Sequence, residues 1–308
     1  MLLNATDQMW STLAPAGQDA IDIARVFWIM AIGGGVIWSV VAALLLHAHR
    51  RHRGRWSDGA GIRLIVMGGV AIPAVVLAAL LMSGLPVLSQ QLARAPADAW
   101  RVHVSGEQWW WRIRYEQRDG SFVELANELR LPRGQAAEVM LTSTDVIHSF
   151  WVPSLAGKVD MVPGRINRLT LEPLQAGTYR GVCAEYCGDS HARMSFVVQV
   201  VEPEEFISWL GAQASQAAVR ALPLFTTAGC AACHAIRGTG ATSTIGPDLT
   251  HVGSRLTIGA GTLPNTHDNL ARWIANPHAV KPGALMPPFS GLPPGDVRAL
   301  ANYLRELR

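Results

Sequence analysis

The chain has 308 residues, of which 49% are hydrophobic and 16% are charged, and its formal net charge is +3. A charged share well below the roughly 25% of an average protein excludes a disordered chain, and so small a net charge gives no indication of a nucleic-acid partner. The length predicts two or three domains.

Four cysteines are present, Cys183, Cys187, Cys230 and Cys233, too few for a disulfide-stapled secreted scaffold. They form two close pairs, each with histidine and methionine nearby, a pattern that indicates metal or cofactor binding.

Two uncharged apolar segments dominate the first ninety residues. They cover residues 26–46 and 64–88 and are 21 and 25 residues long. About 20 apolar residues cross the hydrocarbon core of a bilayer. We therefore predict a membrane hairpin in residues 1–94, with helices at about 25–47 and 63–88. A pair of buried core helices is the alternative interpretation.

The loop between these segments is rich in arginine, whereas most of the charged residues before the first segment are acidic. The loop arginines are Arg50, Arg51, Arg53, Arg55 and Arg63. The positive-inside rule then places the loop in the cytoplasm and both chain ends outside. We expect a multi-pass protein of the bacterial inner membrane, with the N-terminus and everything after about residue 90 on the periplasmic side.

Residues 95–205 have the alternating pattern of short strands separated by turns, which predicts a small antiparallel sandwich or barrel. One loop in this region offers two thiols, an imidazole and a thioether, from Cys183, Cys187, His191 and Met194. His148 is a candidate second imidazole. Soft thiolate and thioether ligands favour copper, and zinc seldom takes methionine. A Cys183–Cys187 disulfide is the alternative, but it gives His191 and Met194 no role.

Three consecutive tryptophans, residues 109–111, form a second notable feature of this region. On a strand, Trp109 and Trp111 would share one face and Trp110 would take the other. Barrel core is the simplest interpretation for Trp111.

A helical linker is predicted for residues 206–220, and a third domain for 221–308. Near its start this domain contains the sequence Cys230-Ala-Ala-Cys233-His234. C-x-x-C-H is the attachment signal of c-type haem, with His234 as the proximal iron ligand. A thioredoxin-like redox pair would need a βαβ context, which the helix–loop–helix pattern of the flanking residues does not offer.

The second axial ligand of such a haem must come from further along the chain. The candidates are His251, His267, His278 and Met286. Met286 is followed by proline in a stiff Pro- and Gly-rich loop that resembles the ligand loop of cytochromes c, so we favour it over the histidines; core packing is its alternative role. A His/Met pair raises the reduction potential of a haem.

The motif C-A-E-Y-C-G-x-x-H-x-x-M, with H-S-F-W-V-P-S-L and K-V-D-M-V-P-G-R upstream, resembles the CuA domain of cytochrome c oxidase subunit II. The resemblance implies a cupredoxin-like β-barrel that holds a binuclear copper centre. The implied ligands are the bridging Cys183 and Cys187, His148 and His191 on one copper each, and two weak ligands, Met194 and the backbone carbonyl of Glu185.

The same resemblance implies two further roles. Trp109 matches the tryptophan through which electrons reach the copper pair. The Glu185 carboxylate would help to bind magnesium where the chain meets subunit I. A glutamate that relatives carry near the cytoplasmic start of the second helix has no counterpart here, so a part in proton uptake is in doubt.

The expected fold is multidomain: a two-helix transmembrane hairpin, a cupredoxin-like β-barrel and an all-α class I cytochrome c domain. By resemblance, the chain is the electron-input subunit of a haem–copper terminal oxidase, with oxygen reduction and proton pumping in another subunit. The implied partners are subunits I and III, membrane lipid, and cytochrome c or another donor. Two alternatives stay open: the input subunit of a nitric oxide reductase, and a membrane-tethered electron carrier.

Overall fold

The computed structural model describes residues 11–50, 57–91 and 95–308. These residues divide into two compact units. Residues 21–50 and 57–91 form one unit, and residues 11–20 together with 95–308 form the other.

The first unit consists of two long apolar helices. Helix α1 is Gln18–Arg50, and the second helix runs from α2, Asp58–Val66, through a π-helical turn to α3, Ile72–Gln91. Both are long and apolar enough to cross a membrane, with mean hydropathies of 2.3 and 2.7 over their most apolar windows. They begin earlier and end later than predicted, because the polar residues that flank an apolar segment continue the helix.

A proline explains the π-helical turn. Pro73 has no amide hydrogen, and its ring would collide with the carbonyl four residues earlier in a regular α-helix. The wider turn at Met67–Ala71 includes that carbonyl, from Gly69, and it lets the helix continue.

The first domain of the second unit, which we call the β-domain, has ten strands in two five-stranded sheets. The strand orders are β3-β2-β1-β5-β8 and β4-β10-β9-β6-β7. The strands are β1 Trp100–Glu107, β2 Trp110–Glu116, β3 Phe122–Ala126, β4 Glu128–Pro132, β5 Ala137–Ser143, β6 His148–Trp151, β7 Val159–Met161, β8 Asn167–Leu171, β9 Gly177–Cys183 and β10 Ser195–Val201. Two neighbouring pairs, β1 with β5 and β4 with β10, are parallel. The predicted antiparallel arrangement of the sandwich or barrel was therefore wrong for these two pairs, because side-chain alternation carries no information about strand direction.

Large aromatic side chains fill the space between the sheets. Alternate residues of β2 point inward, and Trp111 among them is fully buried. Its ring lies 5.9 Å from the Phe150 ring and 4.9 Å from the Phe196 ring. Gly181 faces the Phe196 ring so closely that a Cβ would come within 2.0 Å of it. Trp111 is thus core, as its simplest interpretation predicts.

Two segments outside the strands also pack on this β-domain. Ala16 is buried, and its amide donates to the Ser154 carbonyl at 2.7 Å. Helix α4, Pro203–Ala214, buries Phe206 and Leu210 in the same core. Residues 206–214 of the predicted linker are therefore a packed helix, because side chains four apart form one apolar face.

The remainder of this unit is mainly helical and has its own apolar core. Its helices are α5 Pro223–Thr227, α6 His267–Ala275, α7 Pro277–Val280 and α8 Pro294–Glu306. Two short strands, β11 Thr257–Ile258 and β12 Leu263–Pro264, pair between α5 and α6. The Thr266 side chain accepts from the Asn269 amide and so fixes where α6 begins.

Candidate metal centre and haem pocket

Two thiols and two imidazoles converge at one end of the second sheet. The sulfurs of Cys183 and Cys187 are 3.8 Å apart. His148 Nδ1 lies 3.8 Å from the Cys183 sulfur, and His191 Nδ1 lies 3.6 Å from the Cys187 sulfur. Each imidazole thus faces its own thiol, and the thiol pair lies between them.

Two weaker donors complete this cluster, which we call the copper-site cluster: His148, Cys183, Glu185, Cys187, His191 and Met194. The Met194 sulfur is 3.8 Å from the Cys187 sulfur. On the other side, the Glu185 carbonyl is 3.2 Å from the Cys183 sulfur. Each thiol therefore has one imidazole and one weak donor beside it, the arrangement that a pair of metal ions bridged by two thiolates requires.

The sheet brings these residues together from distant parts of the sequence. Cys183 ends β9, and its amide donates to the Met194 carbonyl at 3.0 Å, which closes the loop 184–194 back onto the sheet. His148 begins β6, the strand that pairs with β9. The ligand loop is therefore held at both ends by strands of one sheet, so its donors need little rearrangement to take a metal.

An aspartate that sequence reasoning missed orients His148. Asp145 accepts from His148 Nε2 at 2.8 Å, which leaves Nδ1 turned toward the sulfurs. It also accepts from the amides of Gln108 and Val146, both at 2.6 Å. Burial opposes ionisation of His148, but its hydrogen bonds to Cys183 and Asp145 raise its pKa. A carboxylate on the far nitrogen of a ligand histidine is a common device for fixing the ring.

The pKa values of the two thiols are shifted in opposite directions, so that Cys183 ionises readily and Cys187 keeps its proton. A hydrogen bond from Cys187 lowers the pKa of Cys183, and the same proton raises the pKa of Cys187. Soft thiolate and thioether donors favour copper. The donor set of two thiols, two imidazoles, a thioether and a carbonyl fits a binuclear copper centre.

Trp109 lies against this cluster, in the turn between β1 and β2 rather than on a strand. Its indole Nε1 donates to the Cys187 carbonyl at 3.0 Å, and the side-chain amide of Gln108 donates to the same carbonyl at 2.7 Å. Only 9% of Trp109 is exposed. The tryptophan therefore contacts the ligand loop directly.

Trp109 also lines a cavity of about 250 Å³ that lies mostly among residues 225–304. Cys230, Cys233, His234 and Met286 line this cavity. Trp109 and Trp110 line it too, so the β-domain supplies part of its wall. We call this cavity the haem pocket.

His234 is prepared to bind a metal ion. Its Nδ1 donates to the Pro247 carbonyl at 2.8 Å, which leaves Nε2 as the free acceptor. Burial lowers the pKa of His234 and so favours the neutral, ligating form. A Cβ at Gly246 would lie 2.7 Å from the imidazole, so only glycine allows this contact.

The four candidates for the second axial ligand differ in position. His251 is buried against the Ser215 carbonyl, and His267 bonds to Asn302. Neither these two histidines nor His278 lines the haem pocket, whereas Met286 does. Two thiols, a neutral imidazole and a thioether around a largely apolar cavity fit a covalently attached haem c.

The Glu185 carboxylate, the proposed magnesium ligand, lies at the protein surface. It is 46% exposed and lies 3.7 Å from the Lys158 ammonium. Among the described residues, His148, Cys183 and Cys187 form the group of His, Cys, Asp and Glu side chains that could hold a metal ion, and Glu185 does not contribute its side chain to it.

A second residue that the sequence reasoning missed is Lys281, which lines the haem pocket and is 3% exposed. Its only sequence signal is rarity: the chain contains two lysines, Lys158 and Lys281. Asp145 gave no signal, because an aspartate three residues before a histidine is unremarkable.

Comparisons with known proteins match the two regions of the chain that contain these sites. Residues 115–201 match the family model of the cytochrome c oxidase subunit II periplasmic domain, and residues 219–308 match that of cytochrome c. The cytochrome c oxidase subunit 2 of Alkalihalophilus pseudofirmus is 36% identical over 67% of this chain and 61% of its own length. That of Bacillus subtilis is 30% identical over 70% of this chain and 64% of its own length.

A solved structure, the periplasmic domain of subunit II of cytochrome oxidase of Bradyrhizobium japonicum, has 30% identity and a TM-score of 0.37. The match covers 39% of this chain and 97% of that one. The chain spans a little over six tenths of the length of the first two curated relatives. The matches to its central and C-terminal parts show that the chain belongs to the cytochrome c oxidase subunit II family and carries a cytochrome c domain after its periplasmic domain.

Proposed function

We propose that this chain is the electron-input subunit of a haem–copper terminal oxidase. In this proposal electrons arrive at a haem c and continue through a binuclear copper centre to subunit I. Oxygen reduction and proton pumping take place in that partner. The observation that carries the proposal is the position of Trp109, which both bonds to the Cys187 carbonyl and lines the haem pocket.

On the copper side, the Cys183 and Cys187 thiols and the His148 and His191 imidazoles would hold the two ions. Met194 and the Glu185 carbonyl would be weaker ligands. When bound, such a pair supplies one-electron transfer with little change of geometry. The chain keeps the ligands in place, because strands hold the loop at both ends and Asp145 fixes the His148 ring.

On the haem side, Cys230 and Cys233 would carry the thioether bonds. His234 and Met286 would bind the iron. The Pro247 carbonyl orients the His234 ring, and the lining of the pocket is largely apolar. A His/Met pair in an apolar site favours a high reduction potential.

The proposal extends to the surroundings of the chain. The two apolar helices would span a bacterial inner membrane, with both folded domains on the periplasmic side. Subunits I and III would be partners, and cytochrome c or another donor would supply electrons. The exposed Glu185 carboxylate, which lies 3.7 Å from the Lys158 ammonium, would help to bind magnesium together with ligands from subunit I.

Purification of the chain from its native membrane in mild detergent tests this function. We expect a large haem-bearing subunit to accompany it and the complex to consume oxygen when an electron donor is added. Electron paramagnetic resonance should detect a mixed-valence two-copper centre and a low-spin haem c. A partner with non-haem iron in place of copper, or no partner at all, would contradict the proposal.

A further inference from the structure

We propose that Lys281 is a positioning residue that fastens the cytochrome c domain onto the main chain of Trp109. This contact holds the tryptophan in one place between the haem pocket and the copper-site cluster. The part that Trp109 plays in electron transfer rests on the proposed function, whereas the contact between the domains does not.

The ammonium of Lys281 joins the two domains through carbonyl groups. It donates to the Trp109 carbonyl in the β-domain and to the Gly259 carbonyl in the cytochrome c domain, the latter at 3.0 Å. Hydrogen bonds from a charged donor are stronger than neutral ones. Removal of this donor would take from the Trp109 carbonyl its described partner inside the protein, whereas the Gly259 carbonyl would still accept from the Thr262 hydroxyl at 2.7 Å.

The residues that follow Lys281 continue the contact. The Ser190 hydroxyl, next to His191, donates to the Pro282 carbonyl at 2.6 Å. Gly283 has a φ of +75°, and a Cβ there would lie 2.6 Å from the Trp109 indole. Segment 281–283 therefore lies directly on the tryptophan and on the ligand loop.

A second segment of the cytochrome c domain contacts the C-terminal end of that loop. The amide and the hydroxyl of Ser195, next to Met194, both donate to the Ala260 carbonyl at 3.1 Å. Gly261 has a φ of +74°, and a Cβ there would come within 2.2 Å of the Ser195 hydroxyl. The ligand loop is thus bonded to the cytochrome c domain at Ser190 and again just after Met194.

The choice of lysine at this position is unusual for the chain. Of its 26 basic residues only Lys158 and Lys281 are lysines. A compact ammonium can donate to two carbonyls in a narrow space, whereas the planar fork of arginine cannot take the same place. Burial lowers the pKa of Lys281 to about 7, so the fold keeps this group buried at an energetic cost. Cys187 and Arg193 are the charged or titratable groups that act on it most strongly.

Amine labelling of the intact chain, with copper and haem bound, tests the contact. The reagent is an excess of acetylating agent, and mass spectrometry follows the two lysines separately. The Lys158 side chain is 47% exposed and serves as the internal control. We expect Lys281 to react more slowly than Lys158 by on the order of a hundredfold, because it must wait for the domains to separate. Equal rates in the folded chain would overturn the proposal.

The variant Lys281→Met tests the positioning role, with Arg298→Met as the matched control. Arg298 is exposed on α8, and its replacement by methionine removes one positive charge from the same domain. In Lys281→Met we expect faster hydrogen exchange at the Ser195 amide, a lower midpoint potential of the copper centre, and haem-to-copper electron transfer slowed by about tenfold. The control should change none of them. A transfer rate and a potential within error of the parent chain would overturn the positioning role.

Labelling needs neither an oxidase partner nor turnover. A chain that lacks subunit I but protects Lys281 would therefore refute the proposed function and support the contact. If Lys281→Met does not fold, the labelling of the parent chain still decides whether the domains are joined as proposed.

Discussion

Removal of the carboxylate that orients His148 should weaken copper binding without touching a copper ligand. Asp145 accepts from His148 Nε2 at 2.8 Å and from the amides of Gln108 and Val146 at 2.6 Å. In Asp145→Ala the imidazole loses the partner that turns Nδ1 toward the Cys183 sulfur. The two amides lose their acceptor as well, so the turn that carries His148 is also less firmly held.

The size of the effect follows from these contacts. Outer-shell partners of metal-bound histidines are typically worth about 10- to 100-fold in metal affinity, or roughly 1.4–2.7 kcal/mol. A hydrogen bond that involves a charged group contributes about 1.5–3 kcal/mol to stability, which agrees with that range. We therefore expect a 10- to 100-fold loss of copper affinity.

Competition between the apo chain and a chromophoric copper(I) chelator measures this affinity. Asp119→Ala is the matched control, because Asp119 is an exposed aspartate that accepts only from Ser121 within its own turn among the contacts described. The control should bind copper as the parent chain does. An affinity of Asp145→Ala within about twofold of the parent would refute the claim that Asp145 orients His148.

Three further changes test other parts of the structure. Trp111→Ala should lower the free energy of unfolding by about 3–5 kcal/mol, measured by chemical denaturation, since the side chain is fully buried. Met286→Ala should convert the low-spin haem to a high-spin form with a lower potential, read from the optical spectrum, whereas His267→Ala should not. Burial raises the pKa of Glu128 from 4.5 to about 6. Ionisation of this group therefore costs the folded state about 2 kcal/mol above pH 6, and the cost disappears as the pH falls toward 4.5. Glu128→Gln should raise the thermal midpoint at pH 7.5 and have little effect at pH 4.5; an equal effect at both pH values would contradict this.

The ligand loop could be predicted from the sequence because its chemistry is local. Cys183, Cys187, His191 and Met194 lie within twelve residues, and no fold is needed to see that they share a loop. C-x-x-C-H is local in the same way. The structure adds what spacing cannot give, namely that His148 and the Glu185 carbonyl both lie within 4 Å of the Cys183 sulfur, at 3.8 Å and 3.2 Å.

Features that depend on the meeting of distant segments could not be predicted. The parallel pairing of β1 with β5 leaves no trace in side-chain alternation, which is the same for either strand direction. The sequence predicts a helical linker at 206–220. It does not predict that the helix Pro203–Ala214 packs on the β-domain, because its apolar face is buried only when the β-domain lies beside it. Lys281 looks like an ordinary surface residue until the cytochrome c domain is placed against Trp109.

The central claim is that electrons pass within one chain from the haem pocket through the region of Trp109 to the copper-site cluster. The most direct test is rapid reduction of the haem in the loaded chain, with the copper absorbance followed in time. The account predicts copper reduction at a rate independent of protein concentration, and a much slower rate in Trp109→Leu with both centres intact. Copper reduction that depends on protein concentration, or that is unchanged in Trp109→Leu, would contradict it.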